Sequence, residues 1–388
     1  HGFDQFINDK VRFCRYYLVR YAINFLAPEI KSHNLGTNKN CIFHFKQIKS
    51  EIKLSLASGH ICDSCRKIIE PHLTHDINDA INKLLLVVSN QHPYSIILKG
   101  WGVKGLAFAG ALLELEKHFS FNAFAGTSAG AIAAVLLGAG YKPGELLNIL
   151  KSKDFKDFKD ANIFEAIFIN YLFKKGLYPG DEIESWIDEL LRNKLNKVNE
   201  ILLSDLVTQT ILYACRIKDG TIIFDSIGER KDTHAKFAAR CSMSIPFYFT
   251  PKLLDGIKVY DGGLRNNFPL KRFIEDNNNK PYIGIYIKSS VKKSWFISKE
   301  LYDLTLDGEE MKIVDDNPDK IVIIDTHPIK TTDFDLDKDK KDFLILAGRV
   351  AALEYISMYH IDILVDSNNL KTLQAELEKL RTQISFLQ

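Results

Sequence analysis

The chain has 388 residues, 46% of them hydrophobic and 26% charged, with a formal net charge of +2. Those values suit an ordinary soluble globular protein with one large core or two medium ones. The small charge, with no basic block, argues against nucleic acid as a partner. The lack of any run of about eighteen consecutive apolar residues argues against a membrane-crossing helix.

Residues 1 to about 90 read as a mostly helical extension, ending in an apolar face from Asp79 to Val88. Within it, Cys41 and His44, followed by Cys62 and Cys65, have the spacing of a tetrahedral structural zinc site, with His60, His72 and His75 as alternative ligands. The competing reading makes Cys41 and His44 core residues and the second cysteine pair a helix start. Six cysteines in so long a chain do not form a disulfide framework, which fits a reducing, cytoplasmic compartment. The chain begins at His1 rather than Met, which is compatible with a removed N-terminal segment.

From residue 91 strands and helices alternate. Ser95–Leu98 is a short apolar strand, Leu106–Lys117 has helical spacing, and Phe121–Ala125 is a strand followed by an alanine-rich helix from Ala131. Glu145–Leu150 begins another helix. Ile222–Phe224, Tyr282–Ile287 and Ile321–Ile324 are further strands. This order predicts a parallel-rich sheet covered on both faces.

Three loops carry the chemistry. The first, Gly100-Trp101-Gly102-Val103-Lys104-Gly105, lies between a strand and a helix, where backbone N–H groups can converge on an oxyanion. It is not a P-loop, because no Ser or Thr follows Lys104. As a dinucleotide fingerprint it lacks the later acidic residue. The second, Gly126-Thr127-Ser128-Ala129-Gly130, is a G-x-S-x-G strand-to-helix turn that exposes a serine hydroxyl at the positive end of a helix. The third, Asp261-Gly262-Gly263, ends the strand Val259-Tyr260 and can point a carboxylate into a cleft; an ordinary Asp-Gly turn is its alternative. Between the last two runs Arg240–Pro251, a small-residue helix end leading into an apolar, proline-punctuated loop.

In this order and context the motifs resemble the patatin-like phospholipase family, convincingly over residues 95–290 and more loosely to about 360. The resemblance implies a three-layer α/β/α domain with a central, mostly parallel sheet over 91–365, flanked by the helical extension and a C-terminal helix over 366–388. It implies a Ser–Asp dyad in which Ser128 is the nucleophile and Asp261 its base. Gly100, Trp101, Gly102 and Val103 form the oxyanion loop, with Gly102 the leading donor. Gly126, Gly130, Gly105, Gly262 and Gly263 support the turns, and Lys104 is a structural or charge-balancing residue. The implied reaction hydrolyses acyl esters of phospholipids or lysophospholipids at a membrane surface, through an acyl-enzyme, with neither metal nor organic cofactor. Trp101 stands where the family usually has a third consecutive glycine. That departure favours a second reading, a catalytically weak or inactive module that keeps the fold for binding or regulation; intact Ser128 and Asp261 oppose it.

Three further features carry expectations. His327, after the strand 321–324, is the best-placed histidine for a rival Ser–Asp–His triad; the competing and preferred reading is a surface histidine before a turn proline. The aromatic stretch Phe155, Phe158, Phe164, Phe168, Tyr171 and Phe173 reads either as a flap that meets lipid or as packed helices. Leu370, Leu373, Leu377, Leu380, Ile384 and Leu387 form a short heptad seam that either docks on its own domain or meets a second copy or a regulatory partner.

Overall fold

Alternating apolar segments of strand and helix length dictate a layered α/β arrangement, which the computed structural model describes over residues 93–100, 102–160, 176–218, 220–277, 280–288, 310–330, 333, 335–360, 363 and 365–386. The zinc candidates Cys41, His44, Cys62 and Cys65, the apolar face at 79–88, Trp101, and Phe164, Phe168, Tyr171 and Phe173 lie outside these residues.

In chain order the elements begin with β1 (Tyr94–Leu98), α1 (Leu106–Leu115), β2 (Phe121–Thr127), α2 (Ala129–Gly138) and α3 (Pro143–Ser152). Next come β3 (Gly176–Tyr178), α4 (Asp181–Leu195), β4 (Gln209–Arg216), β5 (Gly220–Asp225) and α5 (Ala235–Ser242). The rest are β6 (Phe247–Phe249), β7 (Lys252–Leu254), β8 (Ile257–Asp261), α6 (Leu270–Asp276), β9 (Tyr282–Lys288), β10 (Ile321–Asp325), α7 (Lys338–Tyr359) and α8 (Ser367–Phe386).

The main sheet has the order β10-β9-β1-β2-β4-β8-β7, with β5 also paired to β4. β10, β9, β1, β2 and β4 run parallel, as helical crossovers between successive strands require. β5 and β8 pair antiparallel with β4. Every residue of α2 is buried, which suits its Ala-Gly-Ala-Ile-Ala-Ala-Val-Leu-Leu-Gly sequence: a helix without a polar face belongs inside. α7 packs along α1, where Arg349 Nε meets the buried Glu114 at 2.6 Å. α8 lies on α7 and buries Leu373, Leu377 and Ile384 of the apolar seam read from sequence; Leu370 and Leu380 are half-buried, and Leu387 lies outside the described residues.

β4 decides where the site forms. β5 occupies one of its edges over Ile211–Arg216, which leaves β2 and β8 to share the other. β2 takes the first part, ending with Thr127 opposite Tyr213. β8 takes the next position, with Asp261 opposite Ala214. The last residue of β2 and the last residue of β8 therefore meet nearly end to end along one strand edge. Sequence reading does not find β4, yet β4 is what joins the two motifs.

Candidate active site

Ser128 sits between β2 and α2 with φ 54° and ψ −123°, a conformation that L-residues with a Cβ rarely adopt. The surroundings hold it there. Its N–H donates to Ser242 Oγ at 3.0 Å, and Ser242 in turn donates to the Tyr213 carbonyl at 2.6 Å. Glycine at 126 and 130 is required by contact: a Cβ on Gly126 would run into the Gly130 carbonyl, and one on Gly130 would lie 2.5 Å from the Leu98 carbonyl. The elbow is thus pressed against β1 and α2 at once, and its backbone is set by packing.

Asp261 ends β8 as a buried carboxylate. Its main-chain N–H donates to Ser244 O at 2.9 Å, and its Oδ1 accepts the Gly263 N–H at 2.6 Å, so the Asp-Gly-Gly turn fixes one carboxylate oxygen. Oδ2 makes no hydrogen bond of standard geometry among the described residues, although the Ser128 hydroxyl is near enough to act on the Asp261 carboxylate. Burial pushes the Asp261 pKa up to about 6, against the downward pull of the Ser128 hydroxyl, the Gly263 N–H and the Arg240 charge. A carboxyl poised there is ionised at neutral pH and still basic enough to take a proton.

The glycine loop begins with Gly100, whose N–H donates to Asn267 O at 2.8 Å. This corrects the expectation that Gly100 is an oxyanion donor: its amide is spent on joining the loop to the segment after Asp261. Gly102, with φ 54°, opens a 3-10 turn over Gly102–Gly105. The first amides of such a turn have no acceptor within it, so among the described residues the N–H groups of Gly102 and Val103 are free of the turn's own bonds. Lys104 is buried, and its pKa is pulled down to about 8 by burial and by Lys99, against the opposing charge of Asp325.

Ser128 opens onto a narrow cleft whose other walls are almost wholly apolar: Val103, Leu106, Ile132, Leu150, Phe155, Phe158, Trp186, Met243, Ile245 and Phe249. Phe155 and Phe158 are the members of the aromatic stretch within the described residues, and Phe158 packs on Trp186 with ring centroids 5.4 Å apart. Met243, Ile245 and Phe249 come from the Arg240–Pro251 run. A wider polar groove along α4 and α5 is lined by charges already paired with one another, such as Lys252 with Glu184 at 2.5 Å, and includes none of these residues.

Sequence reasoning missed the supports. Ser242 stands 114 residues from the serine it holds. Glu310 accepts the Phe268 N–H at 2.7 Å and pairs with the buried Lys99 at 2.8 Å, clamping the segment that receives Gly100. No local pattern marks either residue. Ser242→Ala leaves the buried Ser128 N–H without its acceptor, so a stability loss of about 1–3 kcal/mol in urea unfolding is expected, together with a fall in kcat. A variant as stable and active as the parent contradicts this role for Ser242. His327 is brought to none of these groups. It lies exposed after β10, three strands across the sheet from β2, and its carbonyl accepts Arg381 Nη1 at 2.8 Å.

Residues 96–274 match the patatin-like phospholipase family. Among curated proteins, the chain is similar to "Uncharacterized protein YqhO" of Bacillus subtilis (strain 168), with 30% identity over 279 residues, 65% of this chain and 94% of that protein. It is also similar to "Probable lipid hydrolase 463L" of Invertebrate iridescent virus 6, with 24% identity over 217 residues, 53% of this chain and 68% of the viral protein. Among solved structures, VipD from Legionella pneumophila is similar at a TM-score of 0.49 and 14% identity, covering 74% of each chain. Because the matched segment begins in β1 and ends in α6, it takes in the glycine loop, the elbow and the Asp-Gly-Gly turn together, and the chain belongs to the patatin-like phospholipase family.

Proposed function

We propose that the protein is a serine acyl hydrolase that cleaves fatty-acyl esters of phospholipids or lysophospholipids through a Ser128–Asp261 dyad. What supports this reading is that the ends of β2 and β8 meet along one edge of β4, with the strained Ser128 lining an apolar cleft and the buried Asp261 keeping Oδ2 unbonded among the described residues.

Ser128 Oγ attacks the ester carbonyl carbon while Asp261 Oδ2 takes the hydroxyl proton. The N–H groups of Gly102 and Val103 bear the charge on the tetrahedral oxygen, each good donor contributing on the order of 3–4 kcal/mol to the barrier reduction. Collapse breaks the bond to the alcohol, which leaves with the proton from Asp261, and the acyl group stays on Ser128. Asp261 then takes a proton from water, the hydroxide displaces Ser128 from the acyl carbon, and the fatty acid departs as the proton returns to the serine. The apolar cleft suits an acyl chain, whose burial stabilises binding by about 0.8 kcal/mol per methylene.

No helix among the described residues is long and apolar enough to cross a membrane. We infer a cytoplasmic protein that meets its lipid at a membrane surface by peripheral contact. Hydrolysis assayed on phosphatidylcholine vesicles, lysophosphatidylcholine micelles and emulsified triacylglycerol, alongside fluorophosphonate labelling, tests the reading. Ester cleavage with labelling confined to Ser128 is expected; an unlabelled protein inert on every lipid supports the non-catalytic module instead. His327→Ala is expected to keep kcat/KM within about twofold, because the dyad needs no imidazole. A loss as deep as that of Ser128→Ala overturns the dyad in favour of a triad.

A further inference from the structure

Arg240, in α5, is fully buried and ends in neutral acceptors alone. Its Nε donates to Gly180 O at 3.1 Å, Nη1 to Ser244 Oγ at 2.9 Å, and Nη2 to Pro179 O at 2.5 Å and Thr250 O at 2.8 Å. No carboxylate among the described residues forms an ion pair with it. A buried guanidinium without an acid costs several kcal/mol of lost hydration, and four dipoles return only part of that. Leucine or methionine could fill the same space at less expense if packing were the whole purpose.

The residues it grips indicate its use. Ser244 accepts from Arg240 through its hydroxyl and, through its carbonyl, receives the main-chain N–H of Asp261. Thr250 closes the run that contributes Ile245 and Phe249 to the cleft wall, and the Arg240 guanidinium carbon lies 5.2 Å from the Phe249 ring centroid. Pro179 and Gly180 lead into α4, which supplies Trp186. One side chain therefore ties the Asp261 backbone to two walls of the cleft while carrying a positive charge that has no direct ion-pair partner among the described residues.

We propose that Arg240 is a positioning residue for Asp261: it fixes the Ser244 turn that carries the aspartate and brings a buried positive charge to that turn. The proposal rests on Asp261 being the base. Arg240 pulls the Asp261 pKa down, against burial. Around Arg240 itself, burial lowers its pKa, while Glu184 and Asp181 on α4, the neighbouring Cys241, and Asp160, whose carboxylate accepts the N–H groups of Gly180, Asp181 and Glu182, raise it. Among the described residues, the Ser128 hydroxyl, the Gly263 N–H and the buried Cys215 thiol also neighbour Asp261, with Cys215 Sγ 3.2 Å from the Asp261 carbonyl oxygen.

The test is the pH profile of kcat/KM for hydrolysis of a p-nitrophenyl acyl ester by the full chain, with Arg240→Lys, Arg240→Gln, Ser244→Ala and Asp261→Asn. Removing an opposite charge raises a carboxyl pKa, so the acid limb of Arg240→Gln is expected to move up by about one pH unit. Its rate at pH 6 should fall several-fold more than its rate at pH 9. Arg240→Lys, which keeps the charge but not the fork, is expected to lose kcat with the limb in place. Should Arg240→Gln not fold, Ser244→Ala removes only the hydroxyl link and is expected to lower kcat with little change in KM; parental kcat in that variant overturns the proposal. Rates reduced equally at every pH in Arg240→Gln also overturn it and leave Arg240 a packing residue, provided Asp261→Asn is inactive. An active Asp261→Asn enzyme refutes the dyad itself.

Discussion

Ser128→Ala is expected to lower hydrolysis by at least about four orders of magnitude, as removal of a nucleophile does when binding and the oxyanion donors remain. The same position makes a second prediction that activity alone cannot. Ser128 is held at φ 54° and ψ −123°, where any side chain with a Cβ is strained by about 1–3 kcal/mol. Alanine keeps that strain, whereas glycine removes it but increases the unfolded chain's freedom by about 0.5–1 kcal/mol. Ser128→Gly is therefore expected to be inactive yet more stable than Ser128→Ala by about 1 kcal/mol. Urea unfolding of the two variants, which have the same missing hydroxyl, checks this. A glycine variant no more stable than the alanine variant refutes stored strain at the elbow, and an alanine variant with substantial turnover removes Ser128 from the reaction.

Legibility of the sequence followed the range of the interactions. β1, α1, β2 and α2 could be read because each contains its own signal: an apolar run of strand length, helical spacing, or glycines at fixed offsets. The Asp-Gly-Gly turn was legible for the same reason. β4 was not, because both of its faces are buried: from Thr210 to Arg216 every residue is inside, which erases the alternation that marks a half-buried strand. His327 was correctly placed after a strand, but nothing local says that β10 lies at the sheet's edge, three strands from the serine. The tail's heptad seam was real, and a seam does not state its partner; Leu373, Leu377 and Ile384 lie against the protein's own α7. The supports of the site were hidden most completely. Ser242, Arg240 and Glu310 act through single hydrogen bonds to residues distant in sequence, and a lone serine, arginine or glutamate has no spacing to betray it.

Asp261→Asn is expected to separate stability from activity in opposite directions, with a pH dependence that identifies the cause. Hydrolysis should fall by about three to four orders of magnitude, since an amide accepts no proton from Ser128. In the parent, the acid limb of kcat/KM should lie near the Asp261 pKa of about 6, with the rate falling about tenfold per pH unit below it. Stability runs the other way. The folded carboxyl, at about 6, holds its proton more tightly than the same group unfolded, so its favourable contribution is complete below about pH 4 and is lost as pH rises through 6. Above that pH the native state carries a buried carboxylate, at a cost of up to about 3 kcal/mol for the pKa difference of two units or so. Asparagine is close in shape to the protonated acid, can accept the Gly263 N–H through its amide oxygen, and carries no charge. The variant should therefore unfold later than the parent at pH 8, and the gap should close as pH falls from 6 to 4. Thermal unfolding of both proteins across that range measures it. A gap independent of pH traces the stabilisation to packing rather than to the buried charge. A variant less stable than the parent at pH 8 means that Ser128, Gly263 and Arg240 together stabilise the carboxylate more than burial penalises it, and the acid limb must then lie well below pH 6.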